Sequence, residues 1–156
     1  MNILNRIWIV MLTLLSLAWS ERSNQGRSAR GLAAAWLRGG WPELVARPSL
    51  DADLWYAGYV QTYLERDVRS LRQVGDLIQF QHFLRALAGR SAQLINLSDL
   101  SRDLGVAVNT IKAWISVLEA SCQIFLLKPF YLNKGKRIIK SPKIYFLDTG
   151  LLCYLT

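Results

Sequence analysis

Apolar residues recur at intervals of three and four over much of the chain, and two such stripes lie close together. Leu97, Leu100 and Leu104 fall on one helical face, and Ile111, Trp114, Ile115 and Leu118 on another. Gly105 sits between them, where a tight turn with positive φ is cheap for glycine. Asn96 and Asp99 have capping-box spacing with aspartate in place of glutamate, and Asn109 is placed to cap the second helix. Residues 96–119 therefore predict a helix-turn-helix. Upstream, Leu77, Ile78, Phe80, Phe83, Leu84 and Leu87 predict a helix from Gly75 to Gly89, with His82 at the edge of its apolar face. Leu54, Trp55, Gly58, Tyr59, Thr62 and Tyr63 predict another behind Asp51 and Asp53. It runs into the charged cluster Glu65, Arg66, Asp67 and Arg69, which reads equally well as a solvated helix end with weak local ion pairs. A shorter helix is expected over Leu32–Leu37, stopped by Gly39 and Gly40, with a new segment starting at Trp41-Pro42.

After the helix-turn-helix the period changes. Ile124 to Leu127 and Lys143 to Leu147 read as two short strands flanking a glycine-containing basic loop. Lys128, Lys134, Lys136, Arg137, Lys140 and Lys143 put six cations there, and no acid occurs between Glu119 and Asp148. The expected fold class is mainly α: a helical, lid-like segment followed by a winged helix-turn-helix with a short β wing. The basic strip suits phosphate neutralisation, which is salt-dependent and mostly blind to sequence. Candidate nucleic-acid contacts are Asn109, Thr110 and Lys112 on the second helix and Lys134, Lys136, Arg137, Lys140 and Lys143 on the wing. The second helix has no outward arginine for bidentate guanine readout, so a protein-interaction role stands beside DNA binding.

The N-terminal run IWIVMLTLLSLAWS, residues 7–20, breaks the helical pattern. It is too short to span a bilayer as a helix. Its β-branched Ile7, Ile9 and Val10 suit a buried strand, while Arg6 and the apolar length suit a secretory signal or an anchor over residues 7–19. Polar residues 23–31 read as a loop.

Composition narrows the chemistry. With 156 residues, 52% hydrophobic and 19% charged, the chain can build one ordinary core and is not of the disordered class. A formal charge of +8 favours anionic partners without choosing among them. Two cysteines, Cys122 and Cys153, and the single His82 exclude a disulfide-dense scaffold and a self-contained Cys/His zinc site, and no disulfide partner is expected. No GxxxxGK[ST] phosphate cradle is present.

The stretches RGGWPEL (38–44), WYAGYVQTYLERDVRSL (55–71), FLRALAGRSAQLINLSDLSRDLGVAVNTIKAWISVLEA (83–120) and KRIIKSPKIYFLDTGLL (136–152) resemble predicted bacterial and archaeal ATPases of the AAA superfamily that carry a C-terminal domain of unknown function. Residues 6–19 look like the last strand of that family's ATPase core, with its following turn degraded. The resemblance implies a larger parent: a P-loop core, a helical lid, a winged helix and a nuclease-like terminal domain. Arg38 falls near the position of a nucleotide-sensing arginine, set against a plain reading as a helix-terminal cation on the dipole. Glu65, Arg66, Asp67, Pro142 and Asp148 match family signatures, and Asp148 reads as a remnant site carboxylate or as a turn former before Gly150.

On this reading residues 1–31 are a core-strand remnant plus loop, 32–92 the lid-like segment, 93–147 the winged helix and 148–156 the start of a truncated terminal domain. The expected function is that of a non-catalytic fragment. No catalytic residue, metal site or cofactor is assigned to this chain, and ATP and Mg are expected only for the parent. The partners implied are DNA along the basic wing, or the missing ATPase core or another protein. A cytoplasmic location follows, unless residues 7–19 act as an anchor. The alternatives are an autonomous winged-helix DNA-binding or interaction module, and a membrane-anchored or exported basic protein.

Overall fold

The computed structural model describes residues 29–63, 76–129 and 141–156. They are mainly helical, with one small antiparallel sheet. In chain order the elements are α1 (Ala29–Arg38), α2 (Pro42–Ala46), α3 (Ala52–Tyr63), α4 (Leu77–Ala88), α5 (Leu97–Leu104), α6 (Val108–Ala120), β1 (Ile124–Leu127), β2 (Lys143–Phe146) and α7 (Thr149–Leu155). The N-terminal run, Glu65, Arg66 and Asp67, and the candidate nucleic-acid contacts Lys134, Lys136, Arg137 and Lys140 lie outside the described residues.

Two compact units divide the chain. The first holds the described residues up to Tyr59 together with Asp148–Tyr154, and the second holds Val60–Leu147 with the last two residues. The segment from Asp148 to Tyr154 thus belongs with α1, α2 and α3 as far as Tyr59, and α4 belongs with α5 and α6.

In the first unit, Gly39 takes φ +79 and ends α1. Trp41 is extended, as a residue before proline must be, and Pro42 opens α2. Asp51 accepts a hydrogen bond from the Leu54 amide at 3.0 Å and so starts α3. The face that α3 buries shares only Tyr63 with the expected stripe: Tyr56 and Val60 are buried beside it, whereas Leu54 is 74% exposed. Period alone did not choose between two aromatic-rich faces of this helix. Trp55 and Tyr59, one position away on each turn, stack on each other at 5.5 Å and meet Trp41 at 5.4 and 4.7 Å, half-buried.

The second unit follows the sequence pattern closely. Asp76 caps α4 through the Gln79 amide, and the helix buries Phe80, Phe83, Leu84 and Leu87, leaving His82 exposed. Asn96 accepts from the Ser98 and Asp99 amides and caps α5. Asp99 does not complete a capping box; its carboxylate pairs with Arg102 at 3.1 Å. Gly105 ends α5 at φ 66, as a tight turn requires. The cap of α6 is Ala107 rather than Asn109, which lies within the first turn and makes no side-chain cap bond. Ile111, Trp114, Ile115, Val117 and Leu118 face the core, where Trp114 meets Phe80 at 5.4 Å and Phe83 at 5.2 Å.

Strand β1 pairs antiparallel with β2 in the register Ile124↔Phe146, Phe125↔Tyr145, Leu126↔Ile144 and Leu127↔Lys143. Ile124, Ile144 and Phe146 point into the core. The backbone at 93–95 lines the other edge of β2: Leu94 bridges Lys143, Ile144 donates to the Gln93 carbonyl, and Ile95 donates to the Pro142 carbonyl. Buried Tyr63 and Ser121 share a 2.7 Å hydroxyl bond, which fastens the end of α3 to the end of α6.

Candidate functional site

The first unit is organised around one carboxylate. Asp148 immediately precedes α7, and its Oδ1 accepts from the Leu151 amide at 2.7 Å, capping that helix. The same oxygen accepts the Tyr56 hydroxyl at 2.6 Å. Its Oδ2 accepts the Gly40 amide at 2.8 Å. Three donors from three separate segments thus converge on one half-buried side chain, each a charge-assisted bond. The Thr149 hydroxyl adds a 2.7 Å bond to the Trp36 carbonyl.

Close approach explains the glycines. A Cβ on Gly150 would stand 2.3 Å from the Tyr56 hydroxyl oxygen and 2.7 Å from the Arg38 carbonyl oxygen. A Cβ on Gly39 would stand 2.2 Å from the same hydroxyl, and its φ of +79 already favours glycine. The Gly39-Gly40 and Asp148-Thr149-Gly150 sequences are two halves of one clamp, with Tyr56 wedged between them.

Tyr56 is buried, and burial, together with its hydrogen bond to the Asp148 carboxylate and that carboxylate's charge, holds the phenol far above the ordinary tyrosine range. The phenol therefore remains a protonated donor at every physiological pH.

Arg38 lies beside the clamp, but its guanidinium turns elsewhere. Nε donates to the Leu44 carbonyl at 3.2 Å, and Nη2 donates to those of Arg47 at 2.9 Å and Leu50 at 2.8 Å. These carbonyls lie at and beyond the end of α2, and that of Arg47 also accepts the Leu50 amide at 3.1 Å, so the arginine closes that loop. Only its backbone carbonyl meets Tyr56, at 3.2 Å. Beyond Tyr56 the clamp needs Gly39 and Gly150 and uses the Gly40 amide, and sequence reasoning passed over all three as sites. The available signal was glycine density in the RGG and DTG stretches.

The candidate nucleic-acid residues that are described lie in the second unit. Asn109, Lys112 and Ser116 are exposed on the outer face of α6, and Thr110 is half-buried. Lys143 is exposed on β2, and Pro142 is engaged through its carbonyl to Ile95. Arg90 pairs with Asp103, and Arg102 with Asp99, so those two cations are neutralised locally. Among the described residues no group of three or more His, Cys, Asp or Glu could hold a metal ion, and no helix is long and apolar enough to cross a membrane.

The fold and clamp define a mainly helical protein with a small antiparallel sheet and a glycine-lined aspartate cap. The chain belongs to the family described as "Domain of unknown function (DUF8612)", whose model matches residues 29–156. It is similar to Uncharacterized protein Rv2008c of Mycobacterium tuberculosis and to Uncharacterized protein Mb2031c of Mycobacterium bovis. Each is 41% identical over 121 residues, covering 75% of this chain and 27% of the relative. The chain therefore spans about a quarter of the length of the curated relatives it matches. No solved structure matches it.

Proposed function

We propose that this chain is the non-catalytic, lid-plus-winged-helix region of an ATPase of the AAA superfamily, with phosphate-backbone contact through its basic wing. The observation that carries the winged-helix reading is the strand order. Helix α4, the bridging backbone at Leu94, helices α5 and α6, then β1 and β2 follow one another, with β2 central between Leu94 and β1. The four sequence stretches quoted above support the ATPase reading, and the much longer relatives leave room for a core.

The first experiment is a pair of assays on the pure chain. Magnesium-dependent ATP turnover would overturn the non-catalytic reading. Anisotropy of a labelled 20-base-pair duplex should show affinity falling roughly 100-fold between 50 and 200 mM salt if about four phosphates are neutralised. Replacing Lys136, Arg137 and Lys140 by glutamine should flatten that slope. Binding that ignores salt would refute phosphate contact. A protein-interaction role is the second reading, favoured because Lys112 is the one cation on the outer face of α6.

A further inference from the structure

The sheet of the second unit has an outer face that no described residue covers. Register places Leu94, Lys143 and Leu127 side by side in one row, and Tyr145 and Phe125 in the next. Leu147 follows on the same side of β2, two positions past Tyr145. Leu94 is 62% exposed, Phe125 50%, Leu127 46% and Leu147 45%. Alternation does not account for this. A strand with one wet face places polar residues there, and this face carries four large apolar side chains. Their combined exposed area is on the order of 300–400 Å², within the size range at which a patch on a small protein is commonly functional.

Charge and area select the occupant. Among the described residues, the charged side chain within these two rows is a cation, the exposed Lys143 at their centre, and the exposed Lys128 follows Leu127. Two copies meeting face to face would set lysines against lysines over an area well short of the roughly 800 Å² per partner of a stable interface. A short peptide needs only a few apolar anchors, and carboxylates beside them would meet Lys143 and Lys128.

We infer that the outer sheet face of Leu94, Phe125, Leu127, Tyr145 and Leu147 is a docking surface for a short acidic, apolar peptide segment of a partner protein. Its anchors lie over Phe125 and the leucines, and its carboxylates face Lys143 and Lys128. This rests on the sheet alone and is independent of the ATPase reading.

The test uses the full chain and two fluorescein-labelled 12-residue peptide sets of matched apolar content, one alternating leucine or phenylalanine with glutamate and the other with lysine. Polarisation should show the acidic set binding at least 10-fold tighter than the basic set. Phe125→Asp should lower acidic-set affinity at least 10-fold, Lys143→Glu about 5-fold, and Ile78→Asp, an exposed site on α4, not at all. Each variant is checked by thermal unfolding; should Phe125→Asp fail to fold, Leu94→Asp on the same face replaces it. Equal binding of both sets, or binding that survives both face variants, overturns the inference. So does a concentration-dependent dimer in sedimentation velocity that Phe125→Asp abolishes, which assigns the face to a second copy. Face-dependent binding to phosphatidylglycerol vesicles without binding of the acidic peptides overturns it in favour of a lipid surface.

Discussion

Replacing Asp148 by asparagine changes one oxygen to an amide nitrogen and little else. Oδ1 holds two donors, the Tyr56 hydroxyl and the Leu151 amide, and Oδ2 holds a third, the Gly40 amide. The asparagine carbonyl can keep the first two. Its NH₂ group then points at the Gly40 N–H, donor against donor, and that amide loses its acceptor. A hydrogen bond to a charged group contributes about 1.5–3 kcal/mol, and a part-buried amide left without a partner costs about 1–3 kcal/mol. Loss of one charged bond, with weakening of the other two, places the expected destabilisation at about 2–3 kcal/mol. Asp148→Ala removes all three acceptors and the cap of α7, and should cost about 4 kcal/mol. Urea unfolding read by tryptophan fluorescence measures both, with Trp41 and Trp55 reporting on the clamp's own unit. In a double-mutant cycle, Asp148→Ala and Tyr56→Phe should couple by at least 1 kcal/mol, as groups in one network do. An Asp148→Asn cost under about 0.5 kcal/mol, the range of an ordinary surface change, would refute the clamp as a stabilising device.

Gly150→Ala should destabilise by about 3 kcal/mol or more, because its Cβ would overlap the Tyr56 hydroxyl and the Arg38 carbonyl oxygen; differential scanning fluorimetry should show a fall in Tm of several degrees. The folded chain holds the Tyr56 proton more tightly than the unfolded chain does, so its contribution is complete below about pH 10 and declines above it by about 1.4 kcal/mol per pH unit. Urea midpoints from pH 9 to 11 should therefore fall more steeply for the native chain than for Tyr56→Phe, and parallel curves would contradict the buried-proton assignment. Asn96→Ala removes the acceptor for two amides at the start of α5 and should cost about 1 kcal/mol in the same urea assay.

Helix α4, the α5–α6 pair and both strands were legible in the residues. Their signals are local: period, Asn96 before Leu97, Gly105 at the turn, β-branched and aromatic runs at 124–127 and 143–146. Capping was less legible where two residues competed. Asn109 is a good capping type, yet the cap of α6 falls two residues earlier at Ala107, in a helix that buries Ile111 and sets Trp114 against Phe80 and Phe83. The buried face of α3 was misjudged for a related reason. Both faces are aromatic, and the partners of Tyr56 are remote: its hydroxyl meets Arg38 and Asp148, 18 and 92 residues away in sequence, and its ring stacks on Tyr154.

The same distance separates the two kinds of information in the clamp. The RGG and DTG stretches carry glycines that mark close approach or unusual backbone, a local fact visible in the chain. That the two stretches meet, that Asp148 takes a proton bond from Gly40 across 108 residues, and that Arg38 turns its charge onto the end of α2 are non-local facts. Local propensities act within a turn or two of backbone and are set by residue type. Partners brought together across the chain are chosen by burial, where an unpaired donor or acceptor is too costly to leave. The residues thus specified which segments would be helix or strand, and packing specified which polar groups would find one another.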